Sequence, residues 1–114
     1  MNTSTAERKA ILRKVSNTYT PLDGAVFEIL RYDHTLVSST DINGATTTSF
    51  TSGSDGVYFI DMLPYGTYYV HETKNAGGQS VNIWFTLTVS DRGVGLKKED
   101  NTIINSLSPE AAAP

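Results

Sequence analysis

Hydrophobic and polar positions alternate along this chain in short runs, each closed by a cluster of turn residues. "AILRKV" (10–15) reads as a first strand, and the polar turn "SNTYTP" follows it. "GAVFEILRY" (24–32) and, after "DINGA", "TTTSFT" (46–51) come next. The stretch "SGSDG" (52–56) is the plainest turn and leads into "VYFIDML" (57–63). Pro64 and Gly66 then turn the chain into "TYYVHE" (67–72). The loop "NAGGQ" (75–79), the strand "VNIWFTLTV" (81–89), the turn "SDRG" and a last strand "NTIIN" (101–105) complete the series. Turns every 8–12 residues or so, with no helical period, predict an antiparallel sandwich or barrel. Ala6 to Arg13 also fits one helical turn, because its Ile-Leu pair suits either period.

One of these rows raises a chemical question. Alternate residues Tyr68, Val70 and Glu72 share a face, and two of the three are large and apolar, so the row is expected to point inward. A carboxylate then ends up inside, where carboxylates are rare. The competing reading is a strand-end glutamate turned to solvent with Lys74 nearby.

Composition narrows the classes. At 114 residues the chain suits one domain with a real core. A net charge of −3, spread along the chain, argues against a phosphate-binding surface and so against nucleic acid. No segment approaches the roughly 18 consecutive apolar residues of a membrane span. Cysteine is absent, which removes disulfides, zinc-thiolate sites and thiol nucleophiles. Met1 to Lys9 lacks the apolar stretch of a signal peptide, which fits an intracellular protein or, the favoured expectation, a piece cut from a longer secreted one.

The segments "TPLDGAVFEIL", "SDGVYFIDMLPYGTYYVHET" and "TIIN" resemble the Cna-B, or SpaA-like, prealbumin-like domains of Gram-positive pilins and surface adhesins. Their pattern has a lysine-bearing first strand and Pro-Leu-x-Gly-Ala-x-Phe-x-Leu. Asp-Gly, Leu-Pro-x-Gly-x-Tyr and Glu-Thr follow, and the final strand ends in asparagine or aspartate. The match runs from about Ile11 to Asn105, and the Leu63-Pro64-x-Gly66-x-Tyr68 block with Glu72-Thr73 is its specific part. After Glu-Thr the family commonly continues Lys-Ala-Pro-x-Gly-Tyr, whereas this chain reads "KNAGGQSVN".

The resemblance implies an all-β, antiparallel, prealbumin-like (reverse Ig-like) sandwich with first and last strands adjacent. Its expected bounds are 9–106, with a polar leader at 1–8 and a linker or frayed tail at 107–114. It also implies an intramolecular isopeptide bond between Lys14 and Asn105, promoted by Glu72, with no cofactor and no enzyme cycle. Lys9 and Asn101 are the alternative partners, Asn101 being the better turn residue within "EDN". The chemistry is reasonable. Burial disfavours a charged lysine and a charged carboxylate alike, leaving a neutral amine to attack and a carboxylic acid to polarise an amide and shuttle protons.

The implied role is a structural or stalk module of an extracellular, wall-attached surface protein or pilin, although no Leu-Pro-x-Thr-Gly sorting motif occurs. Its partners would be neighbouring domains of the same protein, and the isolated domain is expected to be a monomer. The alternative is an adhesive module that recognises a host protein or glycan through loops or exposed aromatics such as Tyr58, Tyr69 and Trp84. His34 lies in a turn and His71 alternates with the inward set. Neither belongs to a metal-ligand pattern.

Overall fold

The computed structural model describes residues 6–41 and 43–114. Eleven strands form among them: β1 (Glu7–Lys14), β2 (Val26–Arg31), β3 (Ser39–Thr40), β4 (Thr46–Thr47), β5 (Phe50–Thr51), β6 (Val57–Pro64), β7 (Gly66–Lys74), β8 (Ser80–Ser90), β9 (Gly93–Lys98), β10 (Ile103–Ser108) and β11 (Glu110–Ala113). They build a three-stranded sheet, β11-β1-β6, facing a six-stranded sheet, β10-β9-β8-β7-β2-β5, with β3-β4 as a small separate ladder.

Every sheet contact is antiparallel except one: β1 and β11 run parallel, with Ile11 opposite Glu110 and Lys14 opposite Ala113. The first segment is a strand rather than a helical turn because its apolar residues alternate, with Ala10, Leu12 and Lys14 buried and Arg13 turned aside. The inner faces supply the core. Leu12 and Phe59 from the smaller sheet meet Phe27, Ile29, Val70, Phe85 and Leu87 from the larger.

Three expectations are revised. Residues 107–114 are not a frayed tail, since they contain β11, whose pairing with β1 buries Ala111 and Ala113 against the core. The strand containing "TIIN" is not the last and does not lie beside β1; it is β10, at the far edge of the larger sheet beside β9. Tyr58 is buried, not exposed. Leu12 pairs with Phe59 and Arg13 with Val57, and this register shift leaves Tyr58 without a partner, so both Tyr58 and Phe59 turn inward.

Candidate functional site: a buried lysine–glutamate pair between the sheets

Lys14 ends β1 in the smaller sheet and Glu72 lies near the end of β7 in the larger one. Strand parity sends both inward. Lys14 is 7% exposed and Glu72 1% exposed, and Lys14 Nζ is 3.6 Å from Glu72 Oε1. The pair thus bridges the two layers. The backbone fixes the lysine: its N–H donates to Gly56 O at 2.8 Å, and its carbonyl accepts from Leu22 N at 3.1 Å. Glu72 is fixed between Phe27 on β2 and Ile83 on β8, its register partners.

The surroundings are short of hydrogen bonds. Among the described residues neither carboxylate oxygen of Glu72 has a hydrogen-bond partner, and neither has the Tyr58 hydroxyl. Tyr58 stacks on Phe27 with ring centroids 3.8 Å apart, which roofs the site with aromatic carbon. Burial holds the Glu72 carboxyl above its usual range; the Lys14 charge opposes this, and Lys98 opposes it further. Burial and the Glu72 charge together push the Tyr58 phenol well up. Burial thus moves the carboxyl toward its proton-holding form, 3.6 Å from the Lys14 amino group.

Asn105 is not brought to this pair. Its side-chain amide donates to the Glu110 carbonyl and, at 3.5 Å, to Ser108 Oγ. Across the larger sheet Asn105 pairs with Leu96, Leu96 with Leu87, and Leu87 with Tyr68, four residues before Glu72. Three strand spacings and four residues of rise separate Asn105 from Glu72 by about 14 Å across and about 13 Å along the sheet. The residue opposite Lys14 on β11 is Ala113. Of the alternatives, Lys9 is exposed, and Asn101 sits in a turn with φ 73°.

The sequence reading missed Tyr58 as a member of this site, and only the β1–β6 register shift reveals it. The histidines lie elsewhere. His71 occupies the outer face of the larger sheet, and its ring stacks on Trp84 at 4.0 Å. His34, with φ 69°, stacks on Tyr69 at 5.1 Å. Among the described residues no group of three or more His, Asp or Glu side chains could hold a metal.

A family model described as a SpaA prealbumin-like fold domain matches residues 8–102, most of the chain. The chain belongs to this SpaA family. Solved structures share the family's architecture. One similar chain is the group B streptococcus pilus 2b backbone protein, at 21% identity and a TM-score of 0.59, covering 92% of this chain and 38% of that one. Another is a variant of BcpA, the major pilin subunit of Bacillus cereus, at 22% identity and a TM-score of 0.54, covering 95% of this chain and 28% of that one. The SpaA-like chain thus spans well under half the length of these pilins, and at such identity the likeness concerns the fold. Among curated proteins none matches.

Proposed function

We propose that this SpaA-like domain is a tension-resisting structural module of a Gram-positive surface protein or pilin, held outside the cell between neighbouring domains of the same protein, and not an enzyme. The observation that carries this is the parallel pairing of β1 with β11. Force applied through the two ends draws neighbouring parallel strands past each other. The load then falls on the ladder as a whole, including Ile11 N to Pro109 O and Val15 N to Ala113 O, both 3.0 Å, rather than opening one bond at a time. End-to-end pulling of single molecules is the test. A chain ending at Pro109 should yield at much lower force than the intact chain, and equal forces would sink the reading.

The covalent lock belongs to the same proposal. Lys14 Nζ, having passed a proton to Glu72, attacks Asn105 Cγ; the new C–N bond forms, the Cγ–Nδ2 bond breaks, and ammonia leaves with the proton that Glu72 relays to it. This requires the segment around Ile103–Asn105 to take the position beside β1 that β11 holds. Two observations support such an exchange. The pair already awaits a third polar group, and Ile103 is 73% exposed at the sheet edge, an apolar side chain with burial still to gain. Intact mass decides: the wild type should contain a species lighter by one ammonia, absent from Lys14→Ala and Asn105→Ala. Full mass throughout would remove the lock and leave the mechanical reading to the pulling experiment.

A second, adhesive reading is favoured by one feature, the aromatic outer face of the larger sheet, where Tyr32, His34 and Tyr69 stack together and His71 stacks on Trp84.

A further inference from the structure

A cleft of about 350 Å³ opens on that outer face, lined by His34, Tyr69, Trp84, Thr86 and Glu99 together with Phe85. Its size lies at the low end for ligand sites. Tyr69 pairs with Thr86 across β7 and β8, so Trp84, two residues from Thr86 on the same face, is its diagonal neighbour. Diagonal neighbours on one face stand about 7–8 Å apart along the backbone, close enough for both aromatic side chains to border the same cleft.

Both walls are held in advance. The Trp84 indole lies against His71 at an interplanar angle of 9°, and its N–H donates to Asn82 Oδ1 at 3.0 Å. Asn82 Oδ1 also meets His71 Nε2 at 2.6 Å, and His71 Nδ1 faces Glu28 Oε1 at 3.3 Å. On the other side Tyr69 is stacked by His34 and Tyr32. Aromatic walls immobilised before binding reduce the ordering cost a ligand must overcome.

We infer that this cleft binds a neutral sugar ring. A pyranose presents C–H faces to the two walls and hydroxyls to its rim, where Thr86 Oγ1, the Glu99 carboxylate and the His34 imidazole can exchange hydrogen bonds with it. A quaternary ammonium would also suit aromatic faces beside a carboxylate. Charge weakens that case: Lys97, the partner of Thr86 on this same outer face, sets a positive charge near the Glu99 carboxylate and loosens the rim's hold on a cation, whereas a neutral ring is indifferent to it. The site is independent of the Lys14–Glu72 pair and lies outside the core. It supplies the adhesive reading with a location, and its failure leaves the mechanical reading untouched.

Trp84 is the single tryptophan, so its fluorescence reports on the cleft directly. Titration of the intact chain with cellobiose, lactose and chitobiose should give a saturable change for at least one, in the millimolar range. Saturation-transfer NMR should show the C–H face of that sugar against the protein. Tyr69→Ala and the solvent-side Glu99→Gln should each weaken binding about tenfold or more, and Glu99→Gln removes no buried contact on which folding depends. No saturable response to any of the three sugars would overturn the inference. So would a response to choline chloride that the sugars do not give, or a change that follows protein concentration and marks a second copy on this face.

Discussion

Lys14 and Glu72 are in place, and the position facing them holds an alanine; Ala113→Asn should therefore complete the reacting set without any strand exchange. Lys14 and Ala113 are register partners on parallel strands, and both side chains point inward. Neighbouring strands lie about 4.8 Å apart, so an asparagine carboxamide at 113 comes within reach of Lys14 Nζ, with Glu72 3.6 Å from that nitrogen. The bond would close a loop of about 100 residues, which constrains the unfolded chain by about 4.7 kcal/mol if it behaves as a disulfide does. Overpacking a site shaped for a methyl group costs about 1–3 kcal/mol, so the net gain is about 2–4 kcal/mol. For a chain of this length the melting entropy is roughly 0.24 kcal/mol/K, and the midpoint should rise by about 10 °C. Intact mass and thermal denaturation together make the assay: a species lighter by one ammonia, melting higher, and absent when Glu72→Ala is added. Folded Ala113→Asn at full mass would refute the reasoning, because both the register and the reactivity of the pair enter it.

The remaining predictions concern the same corner of the fold. Removing either partner alone, by Lys14→Met or Glu72→Leu, strands a buried charge or its orphaned partner and should cost about 3–5 kcal/mol in chemical denaturation. The double variant should come within about 1 kcal/mol of wild type or exceed it, and additive losses would contradict this. Glu72 is held above its usual range when folded, so between its unfolded and folded values the native state binds more protons than the unfolded one. Stability should accordingly fall as pH rises through the interval just above the ordinary carboxylate range, and urea midpoints of Glu72→Gln should lose that slope. At Gly56, φ is +82° and a Cβ would collide with the Lys14 carbonyl, whereas Gly44, at +81°, has open space around it. Gly56→Ala should therefore lose at least about 2 kcal/mol, or about 8 °C, and more than Gly44→Ala. Equal melting temperatures for the two would refute the contact argument.

The strands whose side chains alternate were legible in the sequence, and those built from glycine and alanine were not. β7 and β8 read plainly because large residues fall on every second position. β9 was passed over because Gly93 and Gly95 break its apolar alternation. The structure gives the reason for those glycines: Gly93 runs against the backbone of Leu107 and Ser108, and a side chain at Gly95 would meet Leu107. β11 was read as a tail because "EAAA" has neither period nor β-branched residues. Its place in the sheet comes from a tertiary fit beside β1 that local propensity does not encode.

The site divides along the same line. Parity within one strand identified Glu72 as inward, whereas only the place of the lysine in the family pattern singled out Lys14 from Arg13, whose guanidinium meets Glu110 at 2.8 Å. The third position depends on which segment lies beside β1, and that is a competition between two short stretches. "TIIN" has the stronger strand propensity and would bury Ile103, a gain of about 1.5–3 kcal/mol. "EAAA" fits the existing space without rearrangement and buries two small side chains. Neither stretch partners the Glu72 oxygens where it now lies, so the corner keeps an unmet demand for a hydrogen-bond donor while β11 holds its place. That demand favours a carboxamide over a methyl group, and it biases the competition toward whichever chain can bring one.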